Sequence, residues 1–249
     1  CADLSIRFDV VTIFPELFEP FVRTSIPGRG VAKGAASIAV HDLRAWTQDK
    51  HRSVDDYPFG GGAGMVMRVD VFHRCLQAIA PATEETSSET SPRSRPEIVF
   101  FSARGELLTQ QLVGELAAKP HVVLLCGHYK GVDERVASLA TREISVGDYV
   151  LSGGEVPAMI VMDAVIRLLP DVVGDFASVA EDSHYEVGLL SHPEYTRPRE
   201  YLGMEVPEIL LSGDHAKIAR WRREQALELT RRRRPDLYQS YRQRSGEGQ

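Results

Sequence analysis

The stretch IVFFSARGELLTQQLVGELAAKPHVVLLCG, residues 98–127, decides the architecture. Residues 98–101 and 122–125 are short, unbroken apolar runs, the composition of strands buried on both faces. Between them, residues 107–118 carry apolar side chains at helical spacing. Strand, helix and strand in this order form a crossover unit, and such units assemble a largely parallel sheet. Gly127 follows the second strand directly, at the end where open α/β sheets bind their ligands.

Upstream, residues 6–14 (IRFDVVTIF) read as a buried strand closed by Pro15, which also suits the first turn of a short helix through Phe21. A Gly-rich turn at Gly28 and Gly30 precedes a second strand over 36–41. A loop over 47–65 leads to a helix over 69–80. Residues 81–96 (PATEETSSETSPRSRP) have nothing to bury and read as a flexible surface insertion. Downstream, a helix over 157–169 is apolar nearly all round, so it belongs in a core or an interface. A linker follows, then loops rich in Pro and Tyr. The last element is a helix over 214–233, with Asp214 or Ser212 as cap and an Arg-rich end that suits the helix dipole.

The 249 residues are 43% hydrophobic, which excludes global disorder. No apolar run reaches the length of a membrane span. Arg7 and Asp9 interrupt the first apolar stretch, so no signal peptide is expected. Cys75 and Cys126 lack zinc-type spacing, and a reduced, cytoplasmic setting follows. The net charge of −6 argues against a nucleic-acid partner until its distribution is read. Residues 1–188 hold 17 Lys and Arg against 26 Asp and Glu, whereas residues 189–249 hold 12 against 9. An acidic body with a basic end fits a nucleic-acid partner, and equally a plain solvated helix face.

Three Gly-rich segments stand out: FGGGAGM (59–65), CGHYKG (126–131) and VGDYVLSGGE (146–155). The first lacks the Lys-Ser/Thr ending of a phosphate-binding loop, and none fits the dinucleotide fingerprint. The second follows a buried strand and the third precedes a buried helix, positions that favour ligand contact. An Asp-Ser pair at 182–183 is, taken by itself, a turn or cap. Arg167 has Asp163 at i−4, and an ion pair is its plain structural explanation. The eight histidines show no metal-ligand spacing. Arg and Lys interleaved with Tyr195, Tyr201 and Trp221 suit phosphate contact with base stacking.

Together, FDVVTIFPELF (8–18), the GGGAGM loop, CGHYKGVDER (126–135), SVGDYVLSGGE (145–155), EDSHYEVGLL (181–190), HPEYTRP (192–198) and LLSGDHAKIARWR (210–222) closely resemble the bacterial tRNA (guanine-N1-)-methyltransferases. The resemblance runs in the family's order across nearly the whole chain. It implies a trefoil-knotted α/β domain over 1–173, a linker over 174–188 and a small, mainly helical tRNA-binding domain over 189–249. It also implies an obligate homodimer that methylates N1 of the guanosine 3′ of the anticodon, position 37, with S-adenosylmethionine as donor. In the family, loops matching Gly127, Tyr129, Val146, Gly147, Asp148, Tyr149, Val150, Leu151, Gly153 and Gly154 hold the cofactor. Asp182 matches the general base and Arg167 the Arg that assists it. A magnesium requirement is a family trait whose ligands the sequence does not reveal. Two departures stand out: Ala63 replaces the usual Pro, and His128-Tyr129-Lys130 replaces the common Arg-Tyr-Glu. Two rival readings are another knotted RNA methyltransferase, acting on ribose 2′-O or ribosomal RNA, and a non-catalytic RNA-binding protein.

Overall fold

Strand β1 (Ile6–Thr12) lies inside a five-stranded sheet and is followed by α1 (Phe18–Arg23), α2 (Ser25–Ala32) and β2 (Ala36–Asp42). The two-residue strands β3 (Asp55–Asp56) and β4 (Val66–Met67) precede α3 (Val69–Ile79). Then come β5 (Glu97–Leu107), α4 (Gln110–Ala117), β6 (His121–Leu125), the short β7 (Gly131–Val132), β8 (Arg142–Ser145) and α5 (Glu155–Ile166). This computed structural model describes residues 5–81, 95–174, 182–184 and 188–245. The chain divides into two compact units, Cys1–Gly174 and Asp175–Gln249. Among the described residues, no helix is long and apolar enough to cross a membrane.

The main sheet has the order β2-β1-β6-β5-β8, and every pairing in it is parallel. Side-chain alternation explains why its strands are apolar throughout. Ile6, Phe8 and Val10 of β1, with Val122 and Leu124 of β6, join a core closed by Phe18, Leu112, Leu116 and α5. The intervening Val11, Val123 and Leu125 face the opposite layer, with Val71, Phe72 and Cys75 of α3. Asp9 is fully buried within this pattern. His41 Nε2 and His121 Nε2 each lie 2.6 Å from its carboxylate, and Arg7 Nε lies 2.7 Å away. Burial alone would raise its pKa. The hydrogen bonds from His121, His41 and Arg7 outweigh burial and hold the carboxyl well below the usual carboxylate range.

Four expectations change. Gly28 and Gly30 lie inside α2, not in a turn. At Gly30 a Cβ would stand 2.5 Å from Ile166 Cγ2, so glycine there lets α2 press against α5. The strand expected at 98–101 continues to Leu107 through a register shift between Phe101 and Glu106. It thereby takes the residue expected to start the next helix, which begins at Gln110 after the Thr109 hydroxyl accepts the Leu112 N–H at 3.3 Å. The apolar helix runs Glu155–Ile166, with Pro157 in its first turn, where a missing N–H costs nothing. Of the expected insertion over 81–96, residues 82–94 lie outside the described residues, as do 175–181 and 185–187 of the expected linker.

The second unit holds the hairpin β9 (Glu200–Tyr201) and β10 (Met204–Glu205), then α6 (His215–Arg233) and α7 (Pro235–Ser245). Asp214 caps α6, its carboxylate accepting the Lys217 N–H at 3.1 Å. Arg231, Arg232 and Arg233 occupy its last turn, where the helix dipole favours cations. Helix α7 was not expected. Its Tyr241 is buried and accepts a hydrogen bond from Arg223 of α6 at 2.8 Å, which pins the two helices together.

Candidate cofactor and active site

Three segments meet around a cavity of about 340 Å³: the register shift within β5, and the loops that leave the carboxyl ends of β6 and β8. The first brings Ser102, Ala103 and Arg104, the second residues 127–134, the third Val146 to Gly154, apart from Asp148. Ile144 and Pro157 add apolar wall.

One crossing and one closed turn fix the loops. The Gly154 N–H donates to Gly127 O at 2.8 Å, and a Cβ on Gly154 would stand 2.7 Å from Cys126 Cα. Backbone therefore touches backbone where the second and third loops meet, and only glycine fits. Within the third loop, Gly147 has φ of 149°, and the Tyr149 ring folds back over it. Tyr149 Oη donates to Val146 O at 3.1 Å and closes the turn. Tyr129 in the second loop has φ of 60°, a left-handed conformation that costs a non-glycine residue about 1 kcal/mol or more.

Charge on the walls is largely paired. Arg104 lies 2.8 Å from Glu134, and Asp133 lies 2.7 Å from Arg135, whose hydrogen bond holds the Asp133 carboxyl below its usual range. Behind the loops, Glu155 is buried at the start of α5, where the helix dipole favours a carboxylate. Its Oε1 accepts the Thr12 hydroxyl at 2.9 Å. Its Oε2 lies 3.6 Å from His128 Nδ1, within ion-pair range but beyond hydrogen-bond reach. Burial, with Glu155 adding to it, pushes the Cys126 thiol well up, so this cysteine is no nucleophile at pH 7. Lys130 forms no ion pair among the described residues and lays its side chain along Gly62 and Gly64.

Comparison with known proteins decides the family of the chain. The family described as "tRNA (Guanine-1)-methyltransferase TrmD" matches residues 6–240. The tRNA (guanine-N(1)-)-methyltransferase of Moorella thermoacetica is 52% identical over 93% of this chain and 89% of its own length. Those of Dictyoglomus turgidum and Deinococcus radiodurans are 48% and 50% identical over the same share of this chain and over 89% and 80% of theirs. The chain belongs to this family.

For a tRNA (guanine-N1-)-methyltransferase, the residues expected around the cofactor are gathered here, with one exception. Gly127, Tyr129, Val146, Gly147, Tyr149, Val150, Leu151, Gly153 and Gly154 all line the cavity. Asp148 does not; it is exposed on the outer side of its loop. The loop over 59–65 stays outside the lining, although Lys130 ties it to the second loop and β4 pairs with β7. Ser102 to Arg104 were not anticipated. The only signal was Gly105, where a Cβ would stand 2.6 Å from the Glu143 backbone and block the return to β8.

Arg167 belongs to the first unit and Asp182 to the second. Arg167 caps the C-terminus of α5, its N–H donating to Asp163 O at 3.2 Å. The expected side-chain pair with exposed Asp163 does not form; Arg167 engages elsewhere. Asp182 is exposed in a short turn. Ser183 Oγ accepts the Ser191 N–H at 2.8 Å, and the His184 N–H donates to Leu189 O at 2.9 Å, so the turn is tied to the chain that follows.

Proposed function

We propose that this chain moves the methyl group of S-adenosylmethionine to N1 of the guanosine immediately 3′ of the anticodon, position 37, giving 1-methylguanosine and S-adenosylhomocysteine. The observation that carries the reading is the cavity itself. It sits at the carboxyl ends of parallel strands, the usual ligand position of open α/β sheets, in a chain of this family. Its volume suits a nucleoside-sized ligand, and Gly127, Gly147, Gly153 and Gly154 let the loops that line it pack closer than any side chain would allow. S-adenosylmethionine supplies an electrophilic sulfonium methyl when bound.

Neutral guanine carries a proton on N1, which must leave as the nitrogen attacks. Asp182 takes that proton, and a positioned carboxylate base contributes roughly 10²–10⁴-fold. Negative charge moves onto O6 as the proton leaves, and the Arg167 guanidinium stabilises it there. The cavity loops contribute alignment of donor and acceptor.

The knot, the homodimer, the cytoplasmic setting and the division into domains at 1–173 and 189–249 are part of the same reading. For the dimer, the support is an apolar surface: Val156 and Ile160 of α5 point outward, and Val150 is 93% exposed. For the RNA-gripping role of the second unit, it is the cationic α6. Magnesium rests on the resemblance alone. Among the described residues no group of three or more His, Cys, Asp or Glu could hold a metal.

Product mapping tests the reading. A methyl on N1 blocks the pairing edge, so reverse transcription of treated tRNA stalls one nucleotide before position 37. Replacing that guanine by adenine abolishes incorporation, because adenine offers Asp182 no N1–H to accept and Arg167 no O6 to meet, so its N1 is not held in line with the donor. A stall elsewhere, or methylation that survives the replacement, overturns the assignment and points to a different knotted RNA methyltransferase.

A further inference from the structure

The second unit contains a cavity of its own, about 320 Å³, between α6 and the segment over 193–195. Tyr195 forms one wall, and its ring is braced by Trp221, with centroids 6.5 Å apart. His215 supplies a second ring, and Leu210, Ile218 and Ala219 make an apolar floor. Two charged side chains complete the lining, Glu194 and Arg222. His192 Nδ1 stands 3.4 Å from the Glu194 carboxylate and steadies it.

We propose that this cavity receives one unstacked nucleobase of the tRNA, other than the guanine that is methylated. The inference rests on the reading that the second unit grips tRNA. A polyanion is drawn here because α6 carries seven Lys and Arg against two Glu, and Arg220, Arg232 and Arg233 are exposed. Phosphate alone would make no use of a braced tyrosine ring over an apolar floor. A base uses both features: its face stacks on Tyr195 while its edge meets charge. Glu194 accepts from ring or amino N–H groups, and the Arg222 guanidinium donates to a carbonyl or ring nitrogen. Duplex RNA keeps its bases stacked, so the occupant comes from a loop, which the anticodon arm provides.

The test compares full-length wild type, Tyr195→Ala and Tyr195→Phe. Each is titrated against a substrate tRNA and a set of transcripts carrying one abasic position each across the anticodon loop. Tyr195→Ala weakens binding to intact tRNA about tenfold, within the range of one base–aromatic stack, and Tyr195→Phe restores it. The slope of log affinity against log salt stays unchanged, because no charge is lost. One abasic transcript binds wild type about tenfold more weakly and shows no further loss with Tyr195→Ala, which identifies the base. Unchanged melting and S-adenosylmethionine affinity exclude misfolding as the cause. Equal affinity of wild type and Tyr195→Ala for intact tRNA overturns the pocket, as does the same Tyr195→Ala loss on every abasic transcript. A companion variant, Arg232→Ala with Arg233→Ala, separates the levels. If it weakens tRNA binding and Tyr195→Ala does not, the pocket alone falls. If neither variant weakens it, the RNA-gripping reading falls with the pocket.

Discussion

Gly154→Ala puts the crossing of the two cavity loops under direct load. The added methyl would lie 2.7 Å from Cys126 Cα and 3.0 Å from Gly127 N, against ordinary carbon contacts of about 3.5–4.0 Å. Both obstacles are backbone, so no side chain can swing aside. The loops must part by roughly 1 Å to restore normal contact. Overpacking of this kind costs about 1–3 kcal/mol. The 2.8 Å hydrogen bond from Gly154 N–H to Gly127 O is stretched as well, adding about 1 kcal/mol. The expected loss is therefore about 2–4 kcal/mol, or roughly 5–15 °C in Tm for a chain of this size. Because Gly127 and Gly154 both line the cavity, S-adenosylmethionine affinity by calorimetry should fall about tenfold or more, a cost of about 1.4 kcal/mol. Gly114→Ala is the matched control. It lies in α4 with nothing within 4 Å of a new Cβ, so it should stabilise by about 0.5–1 kcal/mol. A Gly154→Ala protein that melts with wild type and binds the donor equally well would refute the steric reasoning.

Asp182→Asn should leave S-adenosylmethionine affinity nearly intact and lower the single-turnover rate by about a hundredfold or more; wild-type turnover with saturating tRNA would remove Asp182 as the base. Arg167→Ala should cut turnover strongly while Asp163→Ala changes neither turnover nor melting, since the two side chains form no pair; equal losses in both variants would restore the ion-pair explanation. Asp9→Asn should destabilise the first unit by about 3 kcal/mol at pH 7, because a buried carboxylate with three donors is lost. Its folded pKa is depressed, so the stabilisation is complete above the unfolded value near 3.9 and is lost as pH falls below it. Urea unfolding of both proteins between pH 2 and 7 should show the gap narrowing only below about pH 4; a gap that closes near neutrality would contradict the depressed pKa.

The parallel sheet was legible because strands buried on both faces leave an unmistakable run, as in residues 122–125. Helix α2 was hidden because Gly28 and Gly30 signal a turn locally, and only the approach of the Arg23 backbone at Gly28 and of Ile166 at Gly30 explains them. The extension of β5 to Leu107 was equally invisible, since its polar residues after Phe101 pair with β8 through an irregular register. At the site, the glycine loops could be marked but not joined; that Gly154 touches Cys126 is a fact of tertiary contact. The arrival of Ser102 to Arg104 at the cavity left Gly105 as its single trace in the sequence. Neither acid nor base chemistry was readable from Asp182 or Arg167 by spacing. Their roles came from resemblance, and the structure describes them in separate units.

The strand order carries a consequence for synthesis on the ribosome. Strand β1 has β2 on one side, reached within 42 residues, but on the other side β6, which ends at Leu125. Until that point has left the exit tunnel, the fully buried Phe8 and Val10 have an open sheet edge beside them. The last partner, β8, arrives later still and joins on the far side of β5. Closure of the sheet therefore waits on pairings distant in sequence, which makes folding slow and leaves the nascent N-terminal half exposed to association with other chains. Holding factors that bind apolar strand edges should engage this chain before residue 125 emerges and release it after residue 145, a window set by the order of five strands.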